Sequence, residues 1–155
     1  MEKLRQDLLD LVNTPGPSGF EGPVAQLIKE RIRPYVSTVE IDGMGNVIST
    51  KQGSAEKPVF MLMAHMDEVS MVTTYTGDGF VSFDYVGTIN QAVVVGQPML
   101  ILTHSGPIPG VVCSPSVHLA QPVGELWIDV GPRIDLVEPG DPIIFNTTPH
   151  WLDEG

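Results

Sequence analysis

The stretch Pro58-Val59-Phe60-Met61-Leu62-Met63-Ala64-His65-Met66-Asp67-Glu68 carries seven mostly apolar residues straight into a histidine, with a carboxylate two places later. A continuous apolar run of that length, opened by proline, predicts a strand over 58–64 buried on both faces. In open α/β sheets, ligands sit just beyond the carboxyl ends of such strands. His65 and Asp67 fall at that end. A metal-binding histidine usually needs a carboxylate or carbonyl to hold its second ring nitrogen. His-x-Asp therefore offers a metal ligand, His65, and an orienting carboxylate, Asp67, if the backbone bends enough to bring them together. Read without a metal, the same residues cap a strand and begin a turn.

Upstream, Leu4, Leu8, Leu11 and Val12 recur at helical spacing and predict an amphipathic helix over 2–13, ended by Pro15-Gly16-Pro17. A second helix gathers Val24, Leu27, Ile28 and Ile32 on one face and closes at Pro34. Ser18 and Glu21 have capping-box spacing, but Pro23 suits a start near Glu21 better. Ser18 is thus read as part of a plain helix start, without a catalytic role. Residues 38–42 and 46–51 alternate as a hairpin around Gly43-Met44-Gly45-Asn46. Two helices, a hairpin and a buried strand are the opening of an α/β domain, though not a complete one.

Past Glu68 the texture changes. Short β-rich runs at 69–75, 80–86, 93–95, 99–103, 108–113, 126–130 and 143–146 alternate with turns such as Gly77-Asp78-Gly79 and Pro139-Gly140-Asp141. Many short strands at this spacing predict a small barrel or sandwich. A domain boundary is expected near residue 70.

Several motifs stand in order: Pro15-Gly16-Pro17-Ser18-Gly19-Phe20-Glu21, Asp42-Gly43-Met44-Gly45-Asn46-Val47, Ala64-His65-Met66-Asp67-Glu68 and Gly96-Gln97. Then come Ile108-Pro109-Gly110-Val111-Val112, Pro115-Ser116-Val117-His118-Leu119, Ile128-Asp129-Val130-Gly131 and Pro139-Gly140-Asp141-Pro142. Together they resemble the M42 family of dinuclear metal aminopeptidases, over essentially the whole chain. The resemblance implies an α/β fold: a partial catalytic sheet domain over 1–69, an inserted barrel-like all-β association domain over 70–148, and a return segment over 149–155. It implies two divalent metal ions, zinc or cobalt, that polarise the peptide carbonyl and activate a water. His65 matches a metal ligand of the family and Asp67 the catalytic carboxylate that accepts a hydrogen bond from its ring.

Family members are about twice this length, and their further ligands and general base come later in the chain. Among Glu125, Asp129, Asp135, Glu138, Asp141, Asp153 and Glu154, none sits in a matching motif. One histidine and one carboxylate cannot hold a catalytic zinc, which takes three protein ligands. The expectation is therefore the N-terminal portion of an aminopeptidase acting on peptides, inactive by itself and self-associating through its β domain. The alternative is a non-catalytic association module. A sugar- or lipid-binding β domain rests on fold analogy alone.

Composition narrows the partners. Net charge is −11 and no basic cluster offsets it, which argues against nucleic acid and anionic membranes. No apolar run approaches the roughly 20 residues needed to span a bilayer, and the N-terminus lacks a secretory apolar core, so a cytoplasmic protein is expected. Cys113 is the single cysteine, which leaves no intrachain disulfide, and Val111-Val112-Cys113 reads as core. His104 reads as an exposed turn residue and His118 as structural, while His150 and Trp151 match no ligand motif. Met61, Met63, Met66 and Met71 read as core filling.

Overall fold

The computed structural model describes residues 2–55, 57, 59–115 and 126–151. They form two compact units, Met1–Glu68 and Val69–Gly155.

The first unit opens with helix α1 (Glu2–Val12) and helix α2 (Gly22–Ile32). The α2 start follows from the proline. Glu21 occupies the N-cap position and Pro23 falls in the first turn, where its missing N–H leaves no intrahelical bond unmade. Arg31 of α2 reaches both Asp7 and Asp10 of α1, the first at 2.8 Å. Because these carboxylates stand three apart, they share one face of the helix. The apolar stripe of α1 is not covered: Leu4, Leu8 and Val12 are exposed. Val24 and Ala25 of α2 are buried.

A two-stranded hairpin follows, β1 (Thr38–Ile41) and β2 (Val47–Thr50), antiparallel with Ile41 opposite Val47. Its turn is built on Asp42. One carboxylate oxygen accepts from the backbone N–H of Met44 and of Asn46, both at 2.9 Å, and the other accepts from the Asn46 amide at 2.9 Å. The Asn46 bonds first, then the Met44 and Gly45 amides, hold the Asp42 carboxyl below the usual aspartate range.

The expected buried strand over 58–64 is overturned. No strand occurs between Thr50 and Ser70 among the described residues, and Val59 to Met63 are exposed, Leu62 at 98 %. Sheet pairing explains this: among the described residues β1 and β2 pair only with each other, and no strand there neighbours the run to satisfy its backbone groups. The core role for Met61 and Met63 fails with it. Met71, in the second unit, is fully buried.

Among the described residues, the second unit is a closed antiparallel barrel of six strands in the order β3-β4-β7-β6-β5-β8. They are β3 (Ser70–Gly77), β4 (Phe80–Val86), β5 (Pro98–Thr103), β6 (Gly106–Cys113), β7 (Trp127–Asp129) and β8 (Pro142–Phe145). The expected strand at 93–95 is instead a 3₁₀ turn over Gln91–Val93. Asn90 caps it by accepting from the Ala92 N–H at 3.1 Å. Asp78 and Gly79 both take positive φ, 53° and 84°, the geometry of the tight hairpin turn that Asp-Gly favours.

Alternation puts Met99 and Ile101, Ile108 and Val112, and Ile128 and Ile143 into one core. Burying each such side chain contributes about 1.5–3 kcal/mol relative to leaving it exposed. Gly110 shares that inward face. A Cβ there would lie 2.5 Å from Ile128 Cγ2 and 2.9 Å from the Asp129 carbonyl oxygen, so glycine lets β6 and β7 close. Pro107 and Pro109 are tolerated because β6 pairs with β7 only over Val111–Cys113. The alternate residue Val112 donates its N–H toward β5, to Gln97. The two proline nitrogens therefore face the unpaired side of the strand. Cys113 is half-buried rather than core, with its Sγ 3.6 Å from the Val111 carbonyl oxygen.

Candidate metal centre

The site lies in the first unit, where the Thr14–Glu21 loop meets residues 65–68. Glu68 donates its N–H to the Gly16 carbonyl at 2.9 Å, and the Gly16 N–H donates to Glu68 Oε1 at 3.0 Å. An isolated parallel bridge joins Pro17 to Glu68. Gly16 is buried between helix and chain: a Cβ there would sit 2.8 Å from Val24 Cγ1 and 3.5 Å from the Met66 carbonyl oxygen. The loop thus docks through the one residue type thin enough to fit.

Docking delivers Ser18 to Asp67. The Ser18 hydroxyl donates to Asp67 Oδ2 at 2.5 Å. The other carboxylate oxygen, Oδ1, lies 3.0 Å from His65 Nδ1, and the Asp67 backbone carbonyl lies 3.0 Å from the same nitrogen. A carbonyl oxygen only accepts, so Nδ1 carries a proton, and in a neutral ring the lone pair is then on Nε2. The ring is 86 % exposed and the Asp67 carboxylate 38 %. The Ser18 hydrogen bond first, and the His65 contact second, hold the Asp67 carboxyl below the usual aspartate range, against a smaller opposing effect of burial. A shallow cleft beside these groups is lined by Leu11, Val24 and Ile28 together with His65, Asp67 and Glu68.

This donor set fits one position of a metal site. A neutral imidazole with its Nδ1–H on a carboxylate and Nε2 open is a histidine prepared as a ligand. It would supply one ligand only: among the described residues, no three His, Cys, Asp or Glu side chains converge on a point. His104 is exposed at the β5–β6 turn, with Ser105 Oγ 3.1 Å from its Nε2. His150 keeps its Nδ1 3.4 Å from the Thr148 carbonyl oxygen. His118 lies outside the described residues.

The structure brings His65 and Asp67 together, but at the end of an irregular segment rather than of a strand. It also corrects the reading of Ser18, which lies outside α2 and bonds Asp67. The sequence holds a hint of this in Pro15-Gly16-Pro17, a stiff, thin loop ahead of a hydroxyl. What that hydroxyl reaches is set by docking against residues far along the chain.

A family model for M42 glutamyl aminopeptidase matches residues 45–155. The chain belongs to the M42 glutamyl aminopeptidase family. A glutamyl aminopeptidase of Lactococcus lactis is 37 % identical over 117 residues, covering 74 % of this chain and 33 % of that protein. An aminopeptidase from the archaeon Desulfurococcus kamchatkensis superposes with a TM-score of 0.86 at 28 % identity, over 96 % of this chain and 44 % of its own. The TET1 peptidase of Pyrococcus horikoshii, which can assemble into a tetrahedron or a large octahedral shell, gives 0.78 at 28 % identity, over 92 % of this chain and 46 % of its own. The chain thus spans about a third of that Lactococcus relative and under half of each structure.

Proposed function

We propose that this chain carries the first part of a metal-dependent aminopeptidase that removes N-terminal residues from peptides. The supporting observation is the His65 ring, held through Nδ1 by Asp67, with no partner on Nε2 among the described residues. His65 would hold one of two divalent ions, zinc or cobalt. A bound ion would polarise the peptide carbonyl and lower the pKa of a water. Asp67 would keep the imidazole in the binding tautomer and raise its basicity. The remaining ligands and the general base would come from outside these residues, so the chain alone is inactive. The protein would act in the cytoplasm. The first unit and the barrel would correspond to a catalytic part over 1–69 and an association domain over 70–148, the latter carrying homo-oligomers.

Hydrolysis of an aminoacyl chromogenic substrate by the purified chain, with zinc or cobalt added, tests the reading. Turnover no faster than buffer is expected. Metal-dependent turnover abolished by His65→Ala would show that the chain completes a site on its own. In the same protein, zinc should perturb the His65 ring resonances ahead of those of the other histidines; indifference of His65 to zinc would remove it as a ligand. A second reading, a self-association module without catalysis, draws on the barrel having a core of its own. It gains if a longer chain that supplies further carboxylates and histidines remains inactive.

A further inference from the structure

We propose that Ser18 is a positioning residue for the metal-ligating histidine: its hydroxyl locks the Asp67 carboxylate so that the free oxygen faces His65. The inference rests on the reading of His65 as a ligand and extends it to Ser18, forty-nine positions before Asp67 in the chain.

An ionised carboxylate offers two oxygens and no proton. On Asp67, Oδ2 takes the Ser18 hydroxyl at 2.5 Å and Oδ1 faces His65 Nδ1 at 3.0 Å. Each oxygen has one side-chain partner, so the carboxylate plane is fixed from both ends. Remove the hydroxyl and only the His65 contact restrains the terminal torsion, which is broad in aspartate. The Asp67 backbone carbonyl also faces Nδ1, at 3.0 Å. It favours the same tautomer but carries no charge, so it cannot by itself replace the charge-assisted bond to the carboxylate.

The loop is separately anchored, which makes the hydroxyl testable by itself. Gly16 and Glu68 exchange two hydrogen bonds that do not involve Ser18, and Gly16 packs on Val24. Truncating Ser18 to alanine therefore removes the bond to Asp67 and leaves the loop docked.

The experiment is nitrogen-15 NMR of the His65 ring in the metal-free chain at mildly alkaline pH. The probes are the two ring nitrogens and the backbone amides of Gly16 and Glu68. In the native chain the ring nitrogens should be well separated, the protonated one being Nδ1. In Ser18→Ala they should draw together as the second tautomer gains population, while the Gly16 and Glu68 amides hold their positions. Ser18→Thr, which keeps the hydroxyl, should restore the separation. Glu68→Ala, which loosens the loop anchor and spares the hydroxyl, should retain most of it.

Ring nitrogens unmoved in Ser18→Ala would overturn the inference. So would an equal collapse in Glu68→Ala, because Ser18 would then act only through loop docking. Zinc titration separates this inference from the one beneath it. Zinc affinity is expected to fall about tenfold in Ser18→Ala, the lower end for loss of an outer partner of a ligating histidine. If the tautomer shifts as expected yet zinc leaves His65 untouched in every variant, the positioning stands and the ligand assignment falls.

Discussion

Gly16 and Val24 approach so closely that a single added carbon on Gly16 would fall 2.8 Å from Val24 Cγ1. Val24 is buried on α2, where a β-branched side chain has one strongly preferred rotamer and little room to yield. Gly16→Ala should therefore push the loop off the helix, at about 1–3 kcal/mol for overpacking. The cost should show as faster hydrogen exchange at the Glu68 amide, whose acceptor is the Gly16 carbonyl. Unchanged exchange would mean that Val24 gives way and the glycine is dispensable.

The Asp67 carboxyl titrates below the ordinary aspartate value of 3.8, chiefly through the Ser18 hydroxyl and then through His65. A carboxylate whose folded pKa is depressed contributes stability above its unfolded pKa, and that contribution is lost as pH falls through the folded value. The loop contact should accordingly survive at pH values near 3.8 and disappear below them. Carbon-13 titration of the Asp67 carboxyl should give a midpoint under that value in the native chain, moving back up in Ser18→Ala. A midpoint above it in the native chain would contradict the geometry.

Thr73 has a buried hydroxyl, and its Oγ1 has no hydrogen-bond partner among the described residues. A buried polar atom with no partner costs about 1–3 kcal/mol in lost hydration. Valine has nearly the same shape and no hydroxyl, and the Thr73 backbone stays tied to Gly140 and Asp141. Thr73→Val should raise barrel stability by about 1 kcal/mol, read as a higher midpoint in denaturant. A lower midpoint would show that the hydroxyl has a partner in solution.

Val59 to Met63 form a run of exposed apolar side chains. Such a run, with little charge nearby, recruits other chains. Leu62 is 98 % exposed, so Leu62→Lys costs the fold little and interrupts the run. Light scattering should show the native chain oligomeric or aggregating at micromolar concentration, with less scattering from the variant. The barrel has its own core, so removal of residues 1–69 should leave a folded, more soluble domain. A clean monomer from the native chain would remove this account of the run.

The local elements were legible in the sequence because short-range rules govern them. Leu4, Leu8, Leu11 and Val12 mark α1, Pro23 sets the start of α2, and Asp78-Gly79 sets a hairpin turn. The β-rich run at 108–113 marks a barrel strand, β6. His65 and Asp67 were also legible as a pair, since two residues separated by one can meet whenever the backbone bends between them. Periodicity could not decide whether Val59–Ala64 becomes a strand. A strand exists only where a neighbour completes its ladder, and none of the described strands does so for this run. Nor could spacing show that Ser18 reaches Asp67, or that Gly16 must be glycine. Those facts belong to the docking of two distant segments. The sequence by itself determined which residues prefer helix, turn or strand and which histidine carries its own orienting carboxylate. Only the tertiary structure decided which backbone groups find partners and which hydroxyl holds that carboxylate in place, because both depend on distances between chain segments that no local preference encodes.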